Sequence, residues 1–365
     1  MVLNAQNIIA VFNNFKHSSK FNSYSELTSG HINDTFLIKT NGVHDFVLQR
    51  LNSYVFKNAK QVVLNKVKVS EYIQKQINST DNQQVLSFIK TVDNLPYYED
   101  EEGAIWNLSI YIKNSKTFLK VESKEIAYEG GKLFGQFLNL TNGLSVNEIV
   151  DIIPNFHKMS FRYAQFYEAL KNASKKRVEL AKLEIEKVIA LKNEMHILEN
   201  LKSNGKIPVR ITHNDTKISN ALFSETNKGL CVIDTDTVMA GIIHYDFGDA
   251  VRTICNTANE DETNLNKVSF NISFFEAFTK GFLKKIYKQL TLLDVENLAL
   301  AAKTITFIMG LRMLTDFLNN DMYYKTTYEF HNLDRAKNQF KLVDAISENF
   351  NKMNEITFME FKKLK

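Results

Sequence analysis

"ITHNDTKISNALFSETNKGLCVIDTDT", residues 211–237, is the stretch on which the fold assignment turns. It holds two apolar runs, Asn220–Phe223 and Leu230–Ile233, separated by Asn227-Lys228-Gly229, the pattern of a β-hairpin. Polar residues gather at one end of that hairpin. His213, Asp215 and Asn220 precede the first run, and Asp234 and Asp236 follow the second. Antiparallel pairing sets the start of one strand beside the end of its partner, so Asn220 and Asp234 are expected side by side. A hairpin built this way holds a metal and a base at one end.

Phosphoryl transfer needs such a set. The protein does little covalent work; it supplies a carboxylate for the attacking hydroxyl, oxygen ligands for Mg²⁺, and positive charge around the phosphates. Asp215 suits the first task, and Asn220 and Asp234 suit the second. Asp236 shares the facing of Asp234 if the chain stays extended, which places it at a second metal or just behind the first. The His213-x-Asp215-x4-Asn220 spacing followed by an Asp matches the protein-kinase template H-R-D-x-x-x-x-N then D-F-G, with Asn214 in place of Arg. Two alternatives are a loop of capping and turn residues, and a metal-dependent hydrolase. A literal Asp246-Phe247-Gly248 lies well past Asp234. It reads as a decoy, because Asp249-Ala250-Val251-Arg252 looks like a helix start that Asp246 or Asp249 caps while bracing the loop.

The chain of 365 residues allows a two-lobed protein with ample core, and 44% hydrophobic with 24% charged residues is ordinary globular composition. A net charge of +4 from 45 basic and 41 acidic residues, with no arginine-rich or basic-aromatic cluster, argues against nucleic acid. Two cysteines without a CxxC pair argue against a disulfide framework or a zinc site. Neither a signal peptide nor a run of ~18 apolar residues is expected, so the expected location is the cytoplasm.

From Tyr24 the text is strand-like, with Thr35–Ile38 and Phe46–Gln49 joined through Asn41-Gly42. Helical period follows at 60–78, and short strands are expected at 85–92 and 104–112. Helices are expected at 125–141, 155–171, 175–203, 265–288, 294–319 and 332–353. The sum is α+β: a β-rich N-terminal lobe over 1–112 ending in a hinge, then a larger helical lobe over 113–365. Ligands favour the cleft between such lobes.

"HNDTKISN" with "CVIDTDTVMAGIIHYDFGDAVR" resembles the aminoglycoside phosphotransferase and choline kinase superfamily. "GHINDTFLI" (30–38), "FVLQRLN" (46–52) and "GLRMLTDFLNNDMYYKTTYEFHNLDRAKNQFKLV" (310–343) look more narrowly like the N-acetylhexosamine 1-kinases. The resemblance runs from about residue 25 to 345. It implies a protein-kinase-like two-lobed fold, ATP and Mg²⁺ as cofactors, and transfer of the γ-phosphate to the anomeric hydroxyl of GlcNAc or GalNAc. A small sugar is the implied partner, without nucleic acid or membrane, to a monomer or alternatively a dimer. Asp215 is the implied catalytic residue, with Asn220, Asp234 and Asp236 at the metal.

The resemblance also assigns the remaining site. His31, Asn33 and Asp34 sit in the turn over the phosphates or sugar. Tyr111 and Ile112 present backbone to adenine. Arg312, Asp316, Asp321, Tyr323 and Tyr324 form the acceptor site. Gln49 stands where protein kinases carry the strand lysine, with Arg50 next to it. Arg50, Lys39 and the metal are therefore the candidates for balancing phosphate charge, and Glu71 is the candidate helix glutamate. The rival readings are a kinase of another small alcohol and a non-catalytic nucleotide-binding module.

Overall fold

The computed structural model describes residues 4–27, 32–77 and 84–365. The chain opens with α1 (Ala5–Phe12), β1 (Phe21–Glu26), β2 (Asp34–Thr40), β3 (Phe46–Arg50) and α2 (Ala59–Gln74). Three more strands, β4 (Phe88–Ile89), β5 (Tyr98–Glu99) and β6 (Ile105–Ile110), complete an antiparallel sheet of order β1-β2-β3-β6-β4, with β5 also on β6. The pleat sends alternate side chains to opposite faces. Phe46 and Leu48 go into a core with Ile8 and Phe12 of α1, so Val47 and Gln49 turn to the other face. That face is the one α2 covers, and Gln49 meets Lys66 of α2 there.

The rest is mainly helical. After β7 (Ser115–Lys116) come α3 (Lys124–Thr141), α4 (Met159–Asn172), α5 (Lys175–Leu180), α6 (Lys182–Met195) and α7 (Ile197–Ser203). Then follow β8 (Arg210–Thr212), β9 (Ala221–Ser224), β10 (Gly229–Val232), β11 (Met239–Gly241) and α8 (Ile243–Ile254). The chain ends with α9 (Ile272–Ile286), α10 (Leu292–Glu296), α11 (Leu298–Leu318), α12 (His331–Glu348) and α13 (Phe350–Lys362). The mixed α+β architecture, an antiparallel sheet first and a larger helical part after it, is the protein-kinase-like arrangement expected from sequence.

β9 and β10 form the expected hairpin, with Ala221 opposite Val232, and Asn227 at φ 61° accepts the left-handed turn position. β8 pairs with β11, which carries the chain from the hairpin back under the loop at 213–220.

Several expected boundaries shift. The strand at 85–92 contracts to β4, and the helix at 175–203 is three short helices. The helix at 265–288 begins only at Ile272, because Asn271 caps it by accepting from Ser273 N and Phe274 N. α8 starts at Ile243, six residues before the expected start, so Asp249 lies in mid-helix. α11 is apolar enough and, at 21 residues, long enough to cross a membrane, contrary to expectation. Its best window is 83% buried inside the protein, which makes it a core helix.

α3 and α9 pack backbone to backbone. A Cβ at Gly131 would collide with the Phe278 carbonyl, one at Gly135 with the Phe282 carbonyl, and one at Gly281 with the Tyr128 carbonyl. Main-chain atoms cannot swing away, so the crossing depends on these glycines. We expect Gly131→Ala to destabilise the protein by about 1–3 kcal/mol, read as a lower urea midpoint. An unchanged midpoint would mean that the two helices separate without cost.

Candidate active site

The loop after β8 is fixed from behind. Asp246, wholly buried in the first turn of α8, accepts from His213 N at 2.8 Å and from Asn214 N at 2.7 Å. Its carbonyl accepts from Thr216 Oγ1 at 2.5 Å. Asp246 is thus a brace inside the helix, neither cap nor metal ligand. Burial pushes its carboxyl up to about 6, against the pull of His213 and the two amides. His213 Nδ1 accepts from Asp215 N, which leaves Nε2 to donate to Ile233 O at 2.9 Å. The loop and the end of β10 are therefore locked together.

Asp215 stands at the tip of this loop. Its Oδ2 accepts from Asn220 Nδ2 at 3.0 Å and pairs with Lys217 Nζ at 3.1 Å. Its Oδ1 has no partner among the described residues. A carboxylate only accepts, so the amide of Asn220 must turn its nitrogen to Asp215, and its Oδ1 is left as an oxygen ligand. Ile233 N donates to Asn220 O at 2.9 Å, which sets Asp234 beside Asn220 as the hairpin argument requires.

Asp234 sits in left-handed backbone at φ 57°. The residue keeps part of its surface open to solvent. Desolvation first, then the charges of Asp236 and Asp215, push its carboxyl up to about 7. Lys217 answers part of this charge. Asp215 foremost, then Asp234 and Asp249, hold its ammonium protonated. Sequence reasoning missed Lys217, although a lysine two residues after the candidate base was a visible signal.

Asp236 departs from expectation. The left-handed turn at Asp234 leads into a 3₁₀ turn, Thr235–Thr237, so the chain does not stay extended and Asp236 does not face with Asp234. Its buried carboxylate takes Lys66 Nζ on Oδ1 and Asn33 Nδ2 on Oδ2. It is a counter-ion, and its assignment as metal ligand gives way to that pairing. Asn33 is equally committed, since its Oδ1 accepts from Asn52 N at 2.9 Å. That leaves it tying two parts of the molecule together and not free for a sugar.

Other expected groups of the sheet are also engaged. Asp34 and Arg50 face each other across β2 and β3 and pair at 2.6 Å. Lys39 pairs with Asp45 at 3.0 Å. Both lysine substitutes proposed from sequence are thus neutralised within the sheet. Glu71 is exposed and lies 3.7 Å from Lys90, away from Gln49. Tyr111 N is taken by Asp45 O at 2.9 Å, which leaves the Tyr111 carbonyl and the Ile112 amide as the backbone groups without a partner there, among the described residues. His31 lies outside the described residues.

On the helical side, the residues expected at the acceptor split in two. Asp316 is buried and accepts from Tyr323 N at 2.8 Å, Tyr324 N at 2.9 Å and Asn332 Nδ2 at 2.9 Å. Asp321 pairs with Arg177 at 2.8 Å and accepts from Asn332 Nδ2 at 2.9 Å. These two acids hold the loop between α11 and α12, and their lone pairs are spent on it. Arg312 makes no pair with Asp316. Its guanidinium lies over the rings of Phe156 and Tyr324, and Arg335 lies over Tyr324 as well.

No carboxylate pairs with Arg162, Arg312 or Arg335 among the described residues. The Tyr324 hydroxyl is buried without a partner, and Tyr323 is exposed. His157 connects this cluster to the loop by donating from Nε2 to Asn214 O at 3.3 Å. Burial, then the charge of Arg312, push His157 down to about 3, so it is neutral.

A divalent cation fits the donor set. Asn220 Oδ1 and the Asp234 carboxyl are the open oxygens, and a cation there would oppose the desolvation and the nearby charges of Asp236 and Asp215 that push the Asp234 carboxyl up. Among the described residues no three His, Cys, Asp or Glu side chains group as a metal cage. Two protein ligands, with phosphate and water oxygens for the rest, is the usual Mg²⁺ arrangement. The sign of the Asp234 effect can be tested without ligand. A carboxyl raised from its unfolded value near 3.8 to about 7 binds its proton more tightly when folded, so stability falls as pH rises from about 4 to 7. We expect Asp234→Asn to raise the Tm of the metal-free protein at pH 8 and to leave it unchanged at pH 4. Equal Tm values at pH 8 would contradict the upward shift of the Asp234 carboxyl.

The sequence model of the phosphotransferase enzyme family, APH, matches residues 23–267. Solved structures share the fold at low identity. An aminoglycoside phosphotransferase from Alicyclobacillus acidocaldarius subsp. acidocaldarius is 11% identical, covers 100% of this chain and 98% of its own, and has a TM-score of 0.58. A choline kinase from Cryptosporidium parvum Iowa II is 13% identical over 92% and 93% of the two chains, with a TM-score of 0.54. Amicoumacin kinase hAmiN, in complex with AMP-PNP, Ca²⁺ and Ami, is 10% identical over 94% of each chain, with a TM-score of 0.59. With the family match covering well over half of its length, and the loop at 213–220 and Asp234 inside the matched region, the chain belongs to the APH phosphotransferase enzyme family.

Proposed function

We propose that the protein is an ATP- and Mg²⁺-dependent kinase that phosphorylates the anomeric C1 hydroxyl of an N-acetylhexosamine, GlcNAc or GalNAc. The observation that carries the kinase reading is the arrangement of Asp215, Lys217, Asn220 and Asp234 on one locked loop and hairpin. The nucleotide is expected against the sheet, with Gln49 near the phosphates and the Tyr111 carbonyl and Ile112 amide at the adenine. We place the boundary between a nucleotide lobe and an acceptor lobe at residues 112 and 113. The AMP-PNP held by amicoumacin kinase supports a nucleotide triphosphate as donor.

Asp215 Oδ1, the oxygen without a partner among the described residues, accepts the proton of the acceptor hydroxyl as the new O–P bond forms, the bond from the γ-phosphorus to the β,γ-bridging oxygen breaks and ADP leaves. Asn220 and Lys217 fix the other oxygen, so the base cannot rotate away from the acceptor. The Lys217 ammonium lies among Asp215, Asp234 and Asp249 and faces charge that develops on the transferred group. Mg²⁺ held by Asn220 and Asp234 would neutralise phosphate oxygens. These roles amount to positioning and electrostatics, which is what phosphoryl transfer asks of a protein.

The acceptor assignment rests on charge. Arg162, Arg312 and Arg335 gather around Tyr324 with no carboxylate partner among the described residues. Such a surface repels a polycation and suits a neutral, hydroxyl-rich ring that stacks on Tyr324 or Tyr323. That favours a sugar over an aminoglycoside or choline. A kinase of another small alcohol is the alternative reading.

Phosphorus NMR on the protein with Mg-ATP and pooled hexoses, N-acetylhexosamines, choline and aminoglycosides tests both levels. An anomeric N-acetylhexosamine phosphate is expected, while product on another acceptor would retain the kinase and overturn the sugar. Asp215→Asn should keep its Tm and lose about 10²–10⁴-fold in kcat. Turnover within threefold of wild type would remove Asp215 from the role of base.

A further inference from the structure

The kinase template grips phosphate with a strand lysine that pairs with a glutamate on the adjoining helix. Here the strand position holds Gln49, and the cation has moved to the helix. Lys66, on α2, is 4% exposed, and its Nζ donates to Gln49 Oε1 at 2.7 Å and to the buried Asp236. Asn107 Nδ2 of β6 donates to the same Gln49 oxygen at 3.2 Å.

An ammonium has no lone pair, so the atom of Gln49 that faces Lys66 must be oxygen. The amide nitrogen of Gln49 therefore points away from Lys66 and Asn107. It has no protein partner among the described residues, and it carries two N–H donors. A cation on a carbonyl oxygen polarises the amide and makes those N–H groups stronger donors. The site lies beside the Asp234 loop, because Asp236 is two residues further along the chain and bound to the same ammonium.

We infer that Lys66 is the phosphate-positioning cation of this chain, and that it acts through Gln49, whose two N–H donors contact the nucleotide phosphates. The inference rests on the nucleotide reading above. Lys66 itself does not touch the nucleotide: Gln49 and Asp236 fill two of its three donors and it is shielded from solvent. It is a positioning residue, and Asp236 keeps its charge neutralised in the buried site. The chemistry recognised is that of a di- or triphosphate, so the bare nucleoside should be indifferent to Lys66.

The test is calorimetric binding of ATP, ADP and adenosine to the full chain. Lys66→Met alone would leave Asp236 buried and unpaired, so it is combined with Asp236→Asn to remove both charges. Wild type should bind ATP and ADP. The Lys66→Met/Asp236→Asn protein should lose about 10–100-fold in ATP and ADP affinity and stay within threefold for adenosine. Lys66→Arg, which keeps a donor cation, should recover most of the loss. Gln49→Leu should weaken ATP to a similar degree, and adding it to the double variant should weaken ATP no further.

Equal losses for adenosine and ATP would make Lys66 a scaffold and overturn the inference. Additive losses from Gln49 and Lys66 would overturn the action through Gln49. Wild type that binds adenosine no worse than ATP would overturn the inference while retaining a nucleoside site. Wild type that binds none of the three would overturn the nucleotide reading itself.

Discussion

Three carboxylates, Asp215, Asp234 and Asp236, meet at one end of the β9–β10 hairpin, and like charges that close resist simultaneous ionisation. The surrounding structure is organised around that constraint. Lys217 answers Asp215 from the same loop, and Lys66 answers Asp236 from α2. Asp234 has no lysine of its own in contact among the described residues, and burial, with the charges of Asp236 and Asp215, pushes its carboxyl up to about 7. The carboxyl that resists ionisation is thus the one that stands beside the open oxygen of Asn220. A cation bound there completes a balance that the chain leaves open.

The frame that holds this balance is mostly backbone hydrogen bonding. Asp246 receives two amides of the loop from behind, and His213 ties the loop to the end of β10. In the helical part α3 and α9 meet at glycines, where a side chain would collide with the facing backbone. Asp316 and Asp321 do for the α11–α12 loop what Asp246 does for the loop at 213–220. Asp316 accepts N–H groups of Tyr323, Tyr324 and Asn332 while Asp321 pairs with Arg177, and neither meets Arg312 or Arg335, which have no carboxylate partner among the described residues.

The hairpin and its polar end were legible in the sequence because every residue involved lies within 27 positions, where strand pairing fixes the geometry. Asp215, Asn220 and Asp234 could be placed for that reason. Asp236 could not, since the left-handed residue at 234 breaks the alternation on which its facing was argued. Lys66 was invisible for a different reason. Its partners Gln49 and Asp236 are 17 and 170 residues away, and no local pattern marks a lysine on a helix as their common cation. Residue type misled at Asp34, Arg50, Asp316 and Asp321. Each is polar and near the cleft in sequence terms, and each is consumed by a structural partner that only the fold reveals.

Asp234 holds a proton near neutral pH and gives it up when a cation binds. Titration calorimetry of Mg-ADP binding at pH 6, in buffers of different ionisation enthalpy, reads that proton directly. The account predicts about one more proton released by wild type than by Asp234→Asn at pH 6, and no difference between them at pH 8.5. Equal proton release by the two proteins at pH 6 would contradict it.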